Sequence, residues 1–141
     1  IETAIETTLT ADEHVITNIQ NLVDVWLVGL RPISRRNLRF NMPDWSITAR
    51  NLQLLATEMV CVRYPVIPGY TDSVESFVKA ADIMEKAEIR CVEVLAFNEQ
   101  AGHYYHTMGR RFNLKNATAI NTVNQASNFF QSRGFLVSII Q

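Results

Sequence analysis

The chain has 141 residues, 48% apolar and 19% charged, with a formal net charge of -1. That length supports one domain with a sizeable core, and the balanced charge gives no reason to expect nucleic acid or a membrane surface as partner. No run approaches the roughly 18 apolar residues of a membrane span, no secretory signal pattern opens the chain, and the composition reads as cytoplasmic.

In chain order, residues 1 to 8 (IETAIETT) read as a strand. Thr10 and Glu13 have capping-box spacing and predict a helix with Val15, Ile16, Ile19, Leu22 and Val23 on one face. Residues 24 to 30 (DVWLVGL) are apolar at nearly every position, which predicts a strand buried on both faces. Residues 31 to 45 carry two prolines and four arginines and read as a loop. Asp44 or Ser46 is positioned to cap a helix bearing Leu52, Leu55, Ala56 and Met59.

Residues 61 to 73 (CVRYPVIPGYTDS) begin as a third long strand, with Arg63 among apolar residues, and end in a Pro-Gly turn. Asp72 and Glu75 have capping spacing before a helix with Val74, Phe77, Val78, Ala81 and Met84 at helical period. Residues 89 to 97 form the fourth long strand, and 98 to 116 read as a loop. Asn116 is expected to cap a helix with Ala119, Val123, Ala126 and Phe130, ended by Gly134. Residues 135 to 140 close as a strand.

Strand–helix alternation at these lengths predicts one α/β domain over residues 1 to 141, with parallel strands and right-handed crossovers. An open sheet and part of a (β/α) barrel both satisfy that order. The chain opens on Ile1 rather than Met, so further residues upstream are expected.

In parallel α/β folds, functional groups gather at the carboxyl ends of the strands. That rule selects Glu6, Thr7 and Thr8, then Gly29 and Arg31, then Pro68, Gly69 and Tyr70 with Arg63 further back, then Asn98 and Glu99. Such a rim suits a zwitterionic or anionic small molecule. Arg63 can equally pair with a buried carboxylate, and Glu6 can be a solvated strand end. Arg35, Arg36 and Arg39 read as a solvated loop face. His103 and His106 stand three apart with no third ligand in reach, so no metal site is expected.

Cys61 and Cys91 sit in apolar runs and read as small buried hydrophobes, and a disulfide is not expected in a cytoplasmic composition. Two cysteines do not make the usual thiolate set of an iron–sulfur cluster. No lysine lies on a predicted strand, which disfavours a Schiff-base aldolase. Glycine-rich dinucleotide, P-loop and nucleophile-elbow motifs are absent from the sequence.

Several stretches together resemble glycyl-radical enzyme activating enzymes of the pyruvate formate-lyase activating type. They are AIETT, VDVWLVGLR, NLQLL, VRYPVIPGYTDS, the run VEVLAFNEQAGHYYHTMGRRFNL, and the closing FQSRGFLVSI. The resemblance covers most of the chain and implies the carboxyl-terminal half of a partial, TIM-like (β/α) barrel. It implies a radical S-adenosylmethionine (radical SAM) oxidoreductase that cleaves SAM reductively at a four-iron four-sulfur cluster and takes a hydrogen from a glycine of a partner enzyme. The cluster motif, Cys-x-x-x-Cys-x-x-Cys, is absent here, so cluster ligands and independent catalysis are not expected of this chain.

By the same resemblance Glu6, Thr7, Arg31, Arg63 and Asn98 line the SAM site. The implied partners are a glycyl-radical enzyme and an electron donor such as flavodoxin or ferredoxin. Gly29 stands where the family's pattern has Asp, Arg31 where it has Lys, and Asn98 where it has His. Those departures motivate an alternative, a non-catalytic binding or interaction domain on a degenerate half-barrel. A half-barrel alone also exposes an unpaired strand edge, so the segment is expected to self-associate.

Overall fold

The computed structural model describes residues 1–32, 45–98, 100–112 and 120–140. Five strands form one sheet: β1 (Ala4–Thr7), β2 (Val25–Gly29), β3 (Val60–Pro65), β4 (Cys91–Leu95) and β5 (Leu136–Ile140). Every neighbouring pair is parallel, and spatial order equals chain order. The helices are α1 (Glu13–Ile19), α2 (Trp45–Leu52), α3 (Val74–Lys86), α4 (Ala101–Thr107) and α5 (Ile120–Ser132). Short 3-10 turns follow at Gln20–Leu22 and precede β3 at Thr57–Met59.

Strand order decides between the two architectures that the alternation allowed. A doubly wound sheet reverses direction and places helices on both faces. Here every crossover steps the same way, and the right-handed rule for parallel crossovers then keeps the connecting helices on one face. Burial agrees. Trp26 and Val28, then Val60, Val62 and Tyr64, then Val92 and Val94 are at most 3% exposed. They form one core with Ile16, Leu52, Phe77, Ala80, Ala81, Met84, Val123, Ala126 and Phe130 from the helices. Tyr64 lies edge-on to Phe77 and Phe130, with ring centroids 5.9 and 5.2 Å away. Such pairs add about 0.5–1.5 kcal/mol each beyond their burial. The sheet is therefore part of a (β/α) barrel with an open inner face.

That open face corrects one expectation. The second strand is not buried on both sides: Trp26 and Val28 are covered, while Val25 is exposed and Leu27 half-buried. Two caps also differ. Asp12, not Thr10, holds the first position before α1 and makes no side-chain cap bond. Leu9, fully buried at a left-handed φ of 55°, turns the chain just before Thr10, whose hydroxyl meets that of Thr8 at 3.2 Å. Before α3 the cap is Ser73 rather than Asp72, because Ser76 N–H lies three residues on and donates to Ser73 Oγ at 3.2 Å.

The first expected helix breaks into α1 and a 3-10 turn, leaving Val15 and Leu22 exposed. Ser46 lies inside α2 rather than before it. The expected loop after β4 contains α4. Arg35, Arg36, Arg39, Asp44, Glu99, Asn116 and Ala119 fall outside the described residues.

Candidate functional site

The open face is built by alternate residues of each strand. Register aligns Gly29 with Arg63 and Arg63 with Glu93 across β2, β3 and β4. Two residues earlier on the same face, Leu27, Cys61 and Cys91 are aligned, with Glu6 of β1 beside Leu27. Leu27, Leu95, Leu136 and Ile140 make the floor largely apolar.

Arg63 stands in the middle of this floor and is held on both sides. Its Nε donates to Glu93 Oε2 at 2.8 Å. Its Nη1 donates to Glu6 Oε2, also at 2.8 Å. To reach Glu6 the guanidinium crosses β2, where Gly29 has no side chain. Hydrogen bonding to Glu93, and then the charge of Glu6, pushes the Arg63 pKa further up. Side-chain exposures are 26% for Arg63, 20% for Glu93 and 59% for Glu6, so water reaches the outer pair.

Each ion pair uses one oxygen of its carboxylate. Among the described residues, no other ion pair reaches Glu6, Arg63 or Glu93. Two carboxylates and one guanidinium leave one net negative charge. The cluster thus offers acceptors for a cationic group and a guanidinium for an anionic one. Of the zwitterionic and anionic ligands that the rim read in the sequence would suit, Glu93 favours the zwitterionic one, which carries positive charge.

The loop after β3 is locked from within. Thr71 is fully buried, and its Oγ1 donates to Pro65 O at 2.5 Å and accepts from Ile67 N–H at 2.7 Å. Tyr64 Oη donates to Thr71 O at 2.5 Å, and burial pushes its phenol pKa far up. Gly69 provides a left-handed φ of 74° within the turn. The apolar run therefore ends in a hydrogen-bonded corner, and strand alternation puts Arg63 on the open face.

The other expected site residues are not gathered. Thr7 Oγ1 accepts from Leu9 N–H at 2.9 Å and closes the turn after β1. Asn98 Oδ1 accepts from Gln100 N–H at 2.9 Å, starting the turn into α4. Arg31 is exposed beyond the end of β2 and makes no ion pair with another described residue. Among the described residues, no group of three metal-ligating side chains occurs, and the whole chain has two cysteines. Glu93 is the site residue that the sequence reading missed. Its signal was available: Cys-Val-Arg at 61–63 and Cys-Val-Glu at 91–93 are matching triplets on neighbouring strands.

No protein-family profile matches the chain. A curated relative, pyruvate formate-lyase 2-activating enzyme of Escherichia coli (strain K12), is 29% identical over 133 residues, covering 90% of this chain. The chain spans 44% of that relative's length. A solved domain of pyruvate-formate lyase-activating enzyme from Bacteroides vulgatus ATCC 8482 matches the whole chain with a TM-score of 0.74 at 13% identity, covering 82% of that domain. A radical SAM methyltransferase from Sphaerobacter thermophilus matches 97% of the chain with a TM-score of 0.67 at 14% identity, and 39% of that protein is covered. The resemblance to activating enzymes thus recurs in sequence, and the partial-barrel architecture recurs in solved folds. No helix among the described residues is long and apolar enough to cross a membrane.

Proposed function

We propose that this chain is the carboxyl-terminal half of a radical SAM activating enzyme and that its open sheet face lines the SAM site. The observation that carries this reading is the Glu6–Arg63–Glu93 cluster on the inner face of a parallel half-barrel. SAM presents an ammonium, a sulfonium, a carboxylate and ribose hydroxyls. Glu6 and Glu93 accept from the ammonium or the ribose and favour the cation. Arg63 donates to the carboxylate and orients both acids. Leu27 and Leu95, both half-buried, offer apolar surface beside the cluster.

The four-iron four-sulfur cluster would be held outside this chain, which has two cysteines. When bound, it supplies the electron for reductive SAM cleavage. The glycyl-radical enzyme is the proposed recipient of the resulting chemistry, with a flavodoxin or ferredoxin as electron source and the cytoplasm as location. Gly29 and Asn98 favour the second reading, a binding domain on a degenerate half-barrel. Gly29 has no side chain to offer, and the Asn98 Oδ1 is engaged by Gln100 N–H in its own turn.

Calorimetric titration of SAM into the full natural protein separates the two. Arg63→Met and Glu93→Gln should each weaken binding about tenfold or more, the scale of a lost hydrogen bond to a charged group. Absence of SAM binding to the wild type, or equal affinity in wild type and both variants, would overturn the assignment.

A further inference from the structure

Cys61 and Cys91 are directly paired residues of β3 and β4, on the open face. Their sulfurs lie 2.7 Å apart, closer than ordinary van der Waals contact, and both cysteines are free. Neighbouring strands run about 4.8 Å apart in the hydrogen-bonding direction. That is within the roughly 4.4–6.8 Å that a disulfide spans between its Cα atoms. Closing the bond therefore asks for little backbone movement.

We propose that Cys61 and Cys91 are a cross-strand redox pair, closed into a disulfide by a small disulfide oxidant of the glutathione class. Cys91 is half-buried and Cys61 is 9% exposed, so attack begins at Cys91. Its thiolate displaces one glutathione thiolate and forms a mixed disulfide. Cys61 loses its proton and attacks the Cys91 sulfur, and the second glutathione leaves as thiolate. Two protein thiols are oxidised, one glutathione disulfide is reduced to two glutathione thiols, and the two protons pass to them. Burial, with the neighbouring Cys91 and Glu93, pushes the Cys61 pKa well up, which suits Cys61 as the resolving rather than the attacking thiol.

The pair lies two residues before Arg63 and Glu93 on the same two strands. Oxidation would therefore tie the strands together directly beside the ion cluster. The inference needs only this chain's register and stands whether or not SAM is the ligand.

The test equilibrates the full natural protein in buffers of graded reduced-to-oxidised glutathione ratio. Acid quenching, alkylation with N-ethylmaleimide and peptide mass spectrometry follow. Expected is joint loss of alkylation at Cys61 and Cys91 at a single midpoint, with a linked peptide pair carrying the two. In Cys61→Ser, Cys91 should accumulate as the glutathione mixed disulfide. Alkylation of both Cys61 and Cys91 in the most oxidising buffer, with circular dichroism unchanged, would overturn the proposal. So would either cysteine pairing with a different partner in the folded wild type.

Discussion

Arg63 and Glu93 face each other in direct register on β3 and β4, and Arg63 Nε meets Glu93 Oε2 at 2.8 Å. Both side chains are mostly covered, whereas Glu6, on the other side of the guanidinium, is mostly exposed. The two halves of the cluster should therefore respond differently. Arg63→Met is expected to destabilise the fold by about 1–3 kcal/mol, since it strips a charged hydrogen-bond partner from a partly covered carboxylate. Glu6→Gln is expected to cost at most about 1 kcal/mol, as exposed pairs do. Urea unfolding of each variant measures both values.

The corner after β3 supplies a second test. Thr71→Val removes the hydroxyl that bonds both Pro65 O and Ile67 N–H. The expected loss is about 1–3 kcal/mol, because two partly buried backbone groups lose their partner. Tyr64→Phe should cost about 1–2 kcal/mol. Thr71 O is the acceptor of Tyr64 Oη, so a double-mutant cycle should show the two changes to be non-additive.

Much of this was legible in the sequence. Alternating apolar runs and helical periods located all five strands, and Gly134 was identified as the end of the last helix. Glu6 and Arg63, both picked from the strands, meet in an ion pair on the open face. What the sequence did not show was local hydrogen bonding. Thr7 and Asn98 stand near strand ends, yet each bonds to backbone two residues on. The strand-end rule cannot tell a polar group facing the barrel from one consumed by its own turn. Glu93 escaped because its only signal, the match of Cys-Val-Glu at 91–93 to Cys-Val-Arg at 61–63, gains meaning once the two strands are known to be neighbours. Only the register with β3 makes it a partner of Arg63.

Helix ends give a third prediction. After α5, Gly134 N–H donates to Gln131 O and Phe135 N–H to Phe130 O, the paired bonds of a Schellman cap with Gly134 at φ 86°. After α3 the same two bonds run from Glu88 and Ile89, but Glu88 takes φ 57° with a side chain. Glu88→Gly should therefore stabilise the fold by about 0.5–1 kcal/mol, and Gly134→Ala should destabilise it by about 1 kcal/mol. Thermal melts followed by circular dichroism check both signs.

Acid sensitivity gives a fourth. Asp24 Oδ2 accepts from Thr3 N–H at 2.7 Å and from the Thr3 hydroxyl at 3.0 Å. The backbone bond first, and the hydroxyl second, hold this carboxyl below its usual range. A depressed folded pKa adds stability that is present above the unfolded value, about 3.9 for Asp. That stability is lost as pH falls through the folded value. Glu85 is lowered in the same way by Arg133. Asp24→Asn should thus lose stability near neutral pH and show a shallower decline with acid. Urea midpoints from neutral pH downward, with an NMR titration of the Asp24 carboxyl, give the comparison.

The sheet adds its strands in the order in which they are synthesised. Each new strand has only its immediate predecessor to find, and it docks in parallel through a helix that lands on the same side. Assembly can therefore proceed vectorially, one strand–helix step at a time, as the chain leaves the ribosome. The same arithmetic makes the strand–helix step the natural unit of growth or loss at either margin of the sheet, since removing one changes which strand is outermost and leaves every remaining pairing as it was.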